Sequence, residues 1–265
     1  GTRVMTGYQT IEYATEGALA WIRFNRPHVH NAINRLCLGE IGTALEATNR
    51  DPAVRVVAFI GNGETAFTAG ADVTELTDKG PFEMLAYNRL WLDVLAQIER
   101  LEKPVIAAVH GFALGGGTEL SLACDFVVCS TAARFGLAEI NIGVIPGAGA
   151  AVRLTRWVGR LKAKEILMLG GLIAGPEAVA LHLANECVAP ERLKDSVREL
   201  AGKLAAKSPL ALAAAKASVN IGGEMAQSLG VEYELGRYLL LFGTEDQKEG
   251  MRAFLEKRPA RYVGR

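Results

Sequence analysis

The chain carries no surplus of either charge. Lys plus Arg and Asp plus Glu each total 29 in 265 residues, so the formal net charge is zero. A neutral chain lacks the basic field that draws proteins onto nucleic acid or anionic membrane surfaces, so neither is expected as a partner; the sum leaves room only for a local patch. Cysteine is scarce. Cys37, Cys124, Cys129 and Cys187 form no C-x-x-C and have no His at metal-ligand spacing. They read as reduced, mostly buried thiols in a reducing compartment, and no metal is expected. No apolar run reaches the length of a membrane span, and the N-terminus lacks a secretory pattern. The expected location is cytoplasmic. Gly1 stands where an initiator Met would, so the mitochondrial matrix is the alternative for a chain that has shed a transit peptide. Low-complexity segments are absent too.

What is present is apolar and rich in glycine: half the residues are hydrophobic and 29 are Gly. That suffices for one large domain, or a domain with an appendage, around a sizeable core. The most informative stretch starts with the β-favouring run Val105-Ile106-Ala107-Ala108-Val109. It passes His110-Gly111-Phe112-Ala113-Leu114 and meets Gly115-Gly116-Gly117-Thr118-Glu119. A strand reaches glycines just where a helix begins, over residues 119–123. Unpaired N–H groups at the positive end of a helix can stabilise a developing oxyanion, and glycine lets a ligand approach them. The same glycines serve equally well to pack a helix tightly on a sheet. Two other readings are excluded. No Gly-Lys-Ser/Thr follows, so this is not a Walker phosphate loop. The third residue after Gly117 is Leu120, so it is not G-x-G-x-x-G.

Around this stretch, residues 8–25 alternate as a β-hairpin with its turn at Glu16-Gly17. A helix is predicted over 35–49, and the continuous apolar run 54–60 suits a strand covered on both faces. Small residues at 66–73 mark a second close approach of backbone, with a short helix starting near Asp72. An amphipathic helix follows over 81–101, with Pro81 in its first turn. Residues 124–129 read as a strand, and 134–149 as a Gly/Pro-punctuated segment holding Glu139 among apolar neighbours. From 148 the signals are helical almost throughout, apart from a short strand near 185–189. Helices are predicted over 190–206, 208–221, 225–242 and 244–257, with Ser208-Pro209 as N-cap and first helical residue. His28 and His30 lack a third partner for a metal and read as solvated.

The ordered set of these pieces carries a family. Asn25-Arg26-Pro27 with Asn31-Ala32, Ala66-Phe67-Thr68-Ala69-Gly70-Ala71-Asp72, Lys103-Pro104 with the glycine stretch, and Gly143-Val144-Ile145-Pro146-Gly147-Ala148-Gly149 occur in sequence, followed by terminal Phe254-Leu255-Glu256-Lys257-Arg258. Over nearly its whole length the chain resembles the crotonase (enoyl-CoA hydratase/isomerase) superfamily. The resemblance implies an α/β fold, a crotonase-like spiral of ββα repeats over 1–190. A C-terminal helical region, 191–265, would drive trimerisation and complete part of the acyl-CoA pocket; homo-trimers commonly pair into homo-hexamers. The ligand it implies is an acyl-CoA thioester, with no further cofactor because coenzyme A is part of the substrate. It places the two N–H groups that hold the thioester oxygen at Ala71 and Gly116. The hydratase carboxylates fall on Glu119, as water-activating base, and Glu139, as proton donor. The CoA-binding positions fall on His28, Val29, Ala32, Ala69, Asp72, Val73, Thr74 and Gly115, with Lys257 reaching CoA from its own or a neighbouring subunit.

Retention of both glutamates favours reversible hydration of a 2-trans-enoyl-CoA. Taken singly, Glu119 early in a helix could only complement the dipole, Glu139 could pair with Arg134 or Arg153, and Lys257 could belong to a solvated charge run. The rival enzymatic reading is an isomerase, dehydratase or thioester hydrolase on the same scaffold. The non-enzymatic one is an acyl-CoA-binding or RNA-binding scaffold.

Overall fold

A computed structural model describes residues 2–5 and 7–265. It opens with β1 (Thr2–Met5) and the hairpin of β2 (Ile11–Glu16) and β3 (Leu19–Phe24), followed by α1 (Arg35–Arg50). The hairpin turn falls on Gly17-Ala18, one residue later than the sequence pattern placed it, because Glu16 still pairs with Leu19 and Gly17 takes the positive φ of +59°. The chain then repeats one unit three times: a strand in a large sheet, a short strand in a small sheet, then helical structure. The first unit is β4 (Val56–Gly61), β5 (Ala66–Thr68) and α2 (Pro81–Arg100). The second is β6 (Val105–Val109), β7 (Phe112–Leu114) and α3 (Gly116–Ala123). The third is β8 (Phe126–Ser130), β9 (Arg134–Gly136) and α4 (Ala150–Leu169), a helix broken at Gly159. After β10 (Leu172–Ala174), α5 (Gly175–Ala180) and β11 (Glu186–Val188) come α6 (Leu193–Ala205), α7 (Pro209–Asn220), α8 (Gln227–Leu241) and α9 (Glu245–Leu255).

The large sheet runs β1-β2-β3-β4-β6-β8-β11 and the small one β10-β9-β7-β5. From β3 to β11 the large-sheet pairs are parallel, as short crossovers through helices require. The spiral of ββα repeats expected from the resemblance is therefore present. The three-residue strands β5, β7, β9 and β10 were not read from the sequence; so short a piece shows no period-2 pattern. β10 also interrupts the stretch after 148 that reads as helical.

The apolar runs are buried on both faces, as their continuity predicts. Val57 and Phe59 of β4, with Val105, Ala107 and Val109 of β6, face a core shared with α1, α2 and α3. Their neighbours Val56, Ala58, Ile60, Ile106 and Ala108 face the other way. That second face is covered by Leu193, Val197 and Ala201, one stripe of α6 at four-residue spacing. The helix just beyond residue 190 thus completes the core layer.

α7 starts on Ser208, whose hydroxyl accepts the Ala211 N–H (3.4 Å), with Pro209 in its first turn, as predicted. It is tied to the body by Lys216. The ammonium donates to the Ile98 and Lys103 carbonyls (2.8 and 3.2 Å) and pairs with Asp125 (2.7 Å). The four cysteines are free thiols, and burial pushes Cys37 up to about 12. Among the described residues no helix is long and apolar enough to cross a membrane.

Candidate active site

The turn from β7 into α3 is made by Gly115, with φ +49° and ψ −117°. That backbone lies outside the regions open to residues with a Cβ. Gly115 donates its N–H to Gly136 of β9 (2.8 Å). The next residue, Gly116, is the first of α3, so its N–H has no intrahelical acceptor and lies at the positive end of the helix.

A second free N–H is brought to this junction by tertiary contacts. Ile33 forms an isolated parallel bridge with Ala71. In it the Ile33 N–H donates to Gly70 O (2.7 Å) and the Asp72 N–H donates to Ile33 O (2.9 Å). The bridge leaves the Ala71 N–H unused. Gly70, at φ +85°, lies so close to α3 that a Cβ there would sit 2.8 Å from the Gly116 nitrogen and strike the Leu114 carbonyl. Segments 69–71 and 115–116, 45 positions apart, are therefore in contact.

Asn31 holds this arrangement. It is buried at a positive φ of +57°. Its Oδ1 accepts the Arg26 N–H (3.0 Å), and its Nδ2 donates to the Asn62 and Ala66 carbonyls (both 2.9 Å). Its own carbonyl accepts from the Thr68 hydroxyl (2.7 Å), which in turn accepts the Gly70 N–H (3.0 Å).

Both carboxylates stand at the same junction. Glu119, one turn into α3, is 4 % exposed. Its Oε1 accepts the N–H groups of Ala148 (2.8 Å) and Ala150 (3.1 Å), at the start of α4. Burial is the main influence on its pKa and raises it to about 7. The two backbone N–H groups and Arg153 pull it down, and Glu139 pushes it up. Glu139 opens a 3-10 turn, Glu139–Ile142. Its Oε1 lies 2.8 Å from where a Cβ on Gly115 would stand, and its Oε2 is buried with no hydrogen-bond partner among the described residues. Burial raises its pKa above the usual carboxylate range as well. The alternative pairings are not made. Arg153 binds Glu99 (2.7 Å), and Arg134 donates to the Thr131 and Ala133 carbonyls.

The other predicted positions divide into two groups. His28 is exposed, and Val29 and Ala32 are half-buried, on the loop before the Ile33 bridge. Ala69 donates its N–H to His30 O (2.9 Å), so this loop and 69–71 form one ledge. Val73 and Thr74 are exposed on the turn that follows. Asp72, expected at the CoA site, is already engaged. It pairs with Arg26 (2.9 Å) and accepts from the Thr74 hydroxyl (2.7 Å) and N–H (3.2 Å), which hold its carboxyl below the usual range. Lys257 is exposed just past α9, at φ +54°, and no contact among the described residues joins it to the two glutamates.

Sequence reasoning missed the donors to Glu119. Ala148 and Ala150 sit in a run already marked by Gly147 and Gly149, and a helix start after glycines signals exposed N–H groups. It also missed Trp91 of α2, whose ring would lie 2.5 Å from a Cβ on Gly116 and so backs the first residue of α3. A cleft of about 1160 Å³ between α2, α4 and α7 is lined by Leu92, Trp157, Leu212 and Lys216; Glu99, Gly149 and Arg153 also line it, and neither Glu119 nor Glu139 does.

The family described as Enoyl-CoA hydratase/isomerase matches residues 14–265. A crotonyl-CoA hydratase of Syntrophomonas wolfei is 41% identical over 258 residues, covering 97% of this chain and 99% of the relative. A 2,3-dehydroadipyl-CoA hydratase of Escherichia coli is 39% identical over 246 residues, 92% of this chain and 94% of the relative. A crystal structure of an enoyl-CoA hydratase from Bacillus anthracis superposes with a TM-score of 0.93 at 35% identity, covering 97% of this chain and all of that one (100%).

Proposed function

The chain belongs to the enoyl-CoA hydratase/isomerase family, and from that premise we propose that it hydrates a 2-trans-enoyl-CoA thioester to the 3-hydroxyacyl-CoA. One observation carries the reading: two buried carboxyl groups with raised pKa values flank a helix start where two N–H groups lack acceptors among the described residues.

Addition of water to a conjugated thioester develops enolate charge on the carbonyl oxygen. The Ala71 and Gly116 N–H groups hold that oxygen, and each such donor is worth roughly 10²–10³ in rate. Glu119 takes a proton from water as the oxygen attacks Cβ. A pKa near 7 suits a base working at neutral pH. Glu139 delivers a proton to Cα. Its orphaned, buried Oε2 and its burial favour the acid form it needs. The two carboxyls end with their protonation exchanged, and solvent restores them. The reading calls for no cofactor beyond the CoA of the substrate.

CoA lies along the ledge of His28, Val29, Ala32, Ala69, Val73 and Thr74, beside Gly115. Asp72, braced by Arg26, stands in the same ledge, and Lys257 reaches CoA from its own or a neighbouring subunit. A homo-trimer or its doubled hexamer is supported by the exposed Leu229, Leu235, Leu239 and Leu240 of α8 and Phe254 and Leu255 of α9. A cytoplasmic setting goes with this reading.

The test is loss of the conjugated-thioester absorbance with crotonyl-CoA, extended to straight, branched and aromatic enoyl-CoAs. Turnover on any of these that Glu119→Gln abolishes is expected. Turnover only on 3-enoyl or saturated thioesters would replace hydration by isomerisation or hydrolysis.

A further inference from the structure

The loop 147–150 gives Glu119 its two hydrogen bonds, and something must hold that loop. Its glycines cannot do so unaided, since Gly149 sits at a positive φ of +96° and Gly147 has no side chain to anchor. The restraint comes from α4 and α2. Arg153 of α4 donates through Nη1 to the Ala148 carbonyl (2.8 Å) and through Nε to Glu99 of α2 (2.7 Å). Asn88 of α2 donates to the Gly147 carbonyl (3.4 Å). Ala148 is thus gripped twice: its carbonyl by Arg153 and its N–H by Glu119.

We propose that Arg153, steered by Glu99, is the positioning residue for Glu119, fixing the loop that orients the carboxylate and setting the charge around it. The proposal rests on the hydratase reading, in which Glu119 is the base. Its geometric part needs the arginine fork. Nε and Nη1 point to two different acceptors, which a single ammonium cannot serve in the same way. The fork is also sheltered, with the Arg153 side chain 19% exposed. Its electrostatic part follows from position. The charged groups acting on Glu119 are Glu139 from the 3-10 turn and Arg153 from α4, and Glu99 partly neutralises the latter. With Oε1 committed to Ala148 and Ala150, Oε2 has no donor among the described residues and is the oxygen left to take the water proton.

The experiment measures kcat, KM and the acid limb of kcat/KM against pH, with Tm, on crotonyl-CoA. The variants are Arg153→Met, Arg153→Lys, Glu99→Gln and the reference Glu119→Gln. Arg153→Met should lower kcat on the order of 10–100-fold, as loss of positioning does, and move the acid limb up by roughly one pH unit, because a cation near the base is lost. Arg153→Lys should keep the limb and still lose rate. Glu99→Gln should move the limb down, because the guanidinium then acts unneutralised. Opposite displacements of the limb in the Arg153 and Glu99 variants are a signature that a merely structural pair would not give. Unmoved limbs in both, or rate losses that only track a fallen Tm, overturn the proposal while leaving Glu119 as base. An active Glu119→Gln overturns Glu119 as the base, and the Arg153 proposal with it; absence of crotonyl-CoA turnover in the wild type overturns the hydratase assignment itself.

Discussion

Glu139 Oε1 occupies the space beside Gly115 where any other residue would carry its Cβ: the two positions are 2.8 Å apart. Gly115 therefore meets two demands at once. It supplies a backbone, φ +49° and ψ −117°, that L-residues avoid, and it leaves room for the Glu139 carboxyl. Gly115→Ala should cost about 1–3 kcal/mol of stability and displace Glu139. We expect kcat for crotonyl-CoA hydration to fall at least as far as in Glu139→Gln. Rates near wild type in Gly115→Ala would show that the carboxyl needs no such clearance.

Glu119 makes stability depend on pH. Its pKa is raised from 4.5 to about 7 in the fold, so the neutral form is favoured there. The favourable contribution is complete below the unfolded value and is lost as pH rises through about 7. Glu119→Gln keeps an oxygen for the Ala148 and Ala150 N–H groups and never ionises. Relative to wild type it should gain up to about 3 kcal/mol between pH 4.5 and 8. Denaturant unfolding of both proteins at the two pH values checks this; a constant difference would contradict it.

Asn31 organises the ledge that presents Ala71. Asn31→Ala leaves the Asn62 and Ala66 carbonyls and the Arg26 N–H short of partners and keeps the strain of a left-handed backbone. A loss of about 3 kcal/mol is expected, with a fall in kcat as segment 66–71 shifts against α3. Urea unfolding and steady-state kinetics together report both effects.

Lys216 and Asp125 form a sheltered pair, 9% and 15% exposed, that fastens α7 to the body. Burial already holds the Asp125 carboxyl above its usual range despite the lysine. Lys216→Met should destabilise the fold by about 3–5 kcal/mol at neutral pH. The loss should shrink on acidification, as Asp125 takes up a proton, which unfolding at pH 7 and pH 4 would measure.

Much of the frame is legible in one dimension. The runs 54–60 and 105–109 announce strands buried on both faces, and Val57/Phe59 against Val56/Ala58/Ile60 sort onto opposite faces as period 2 requires. Ser208-Pro209 marks a helix start because its chemistry is local. The short strands β5, β7, β9 and β10 were not legible: three residues form a strand only when a neighbouring sheet edge pairs with them. The turn position at Gly17-Ala18 likewise depended on cross-strand register.

The sequence by itself determined that two glycine-rich segments would let a ligand reach bare backbone, and that carboxylates lay near helix and turn starts. Those are properties of residue type and of spacing within a few positions. Only the tertiary structure decided which groups meet. Gly70 against Gly116, Glu139 against Gly115, and Glu119 against Ala148 and Ala150 are contacts across 20 to 50 positions. They are set by how three repeats stack, and no local pattern encodes that. It also decided that Asp72 belongs to Arg26 and Arg153 to Glu99. A charged side chain binds whichever partner the fold brings within about 3 Å, and the chain order is silent on that.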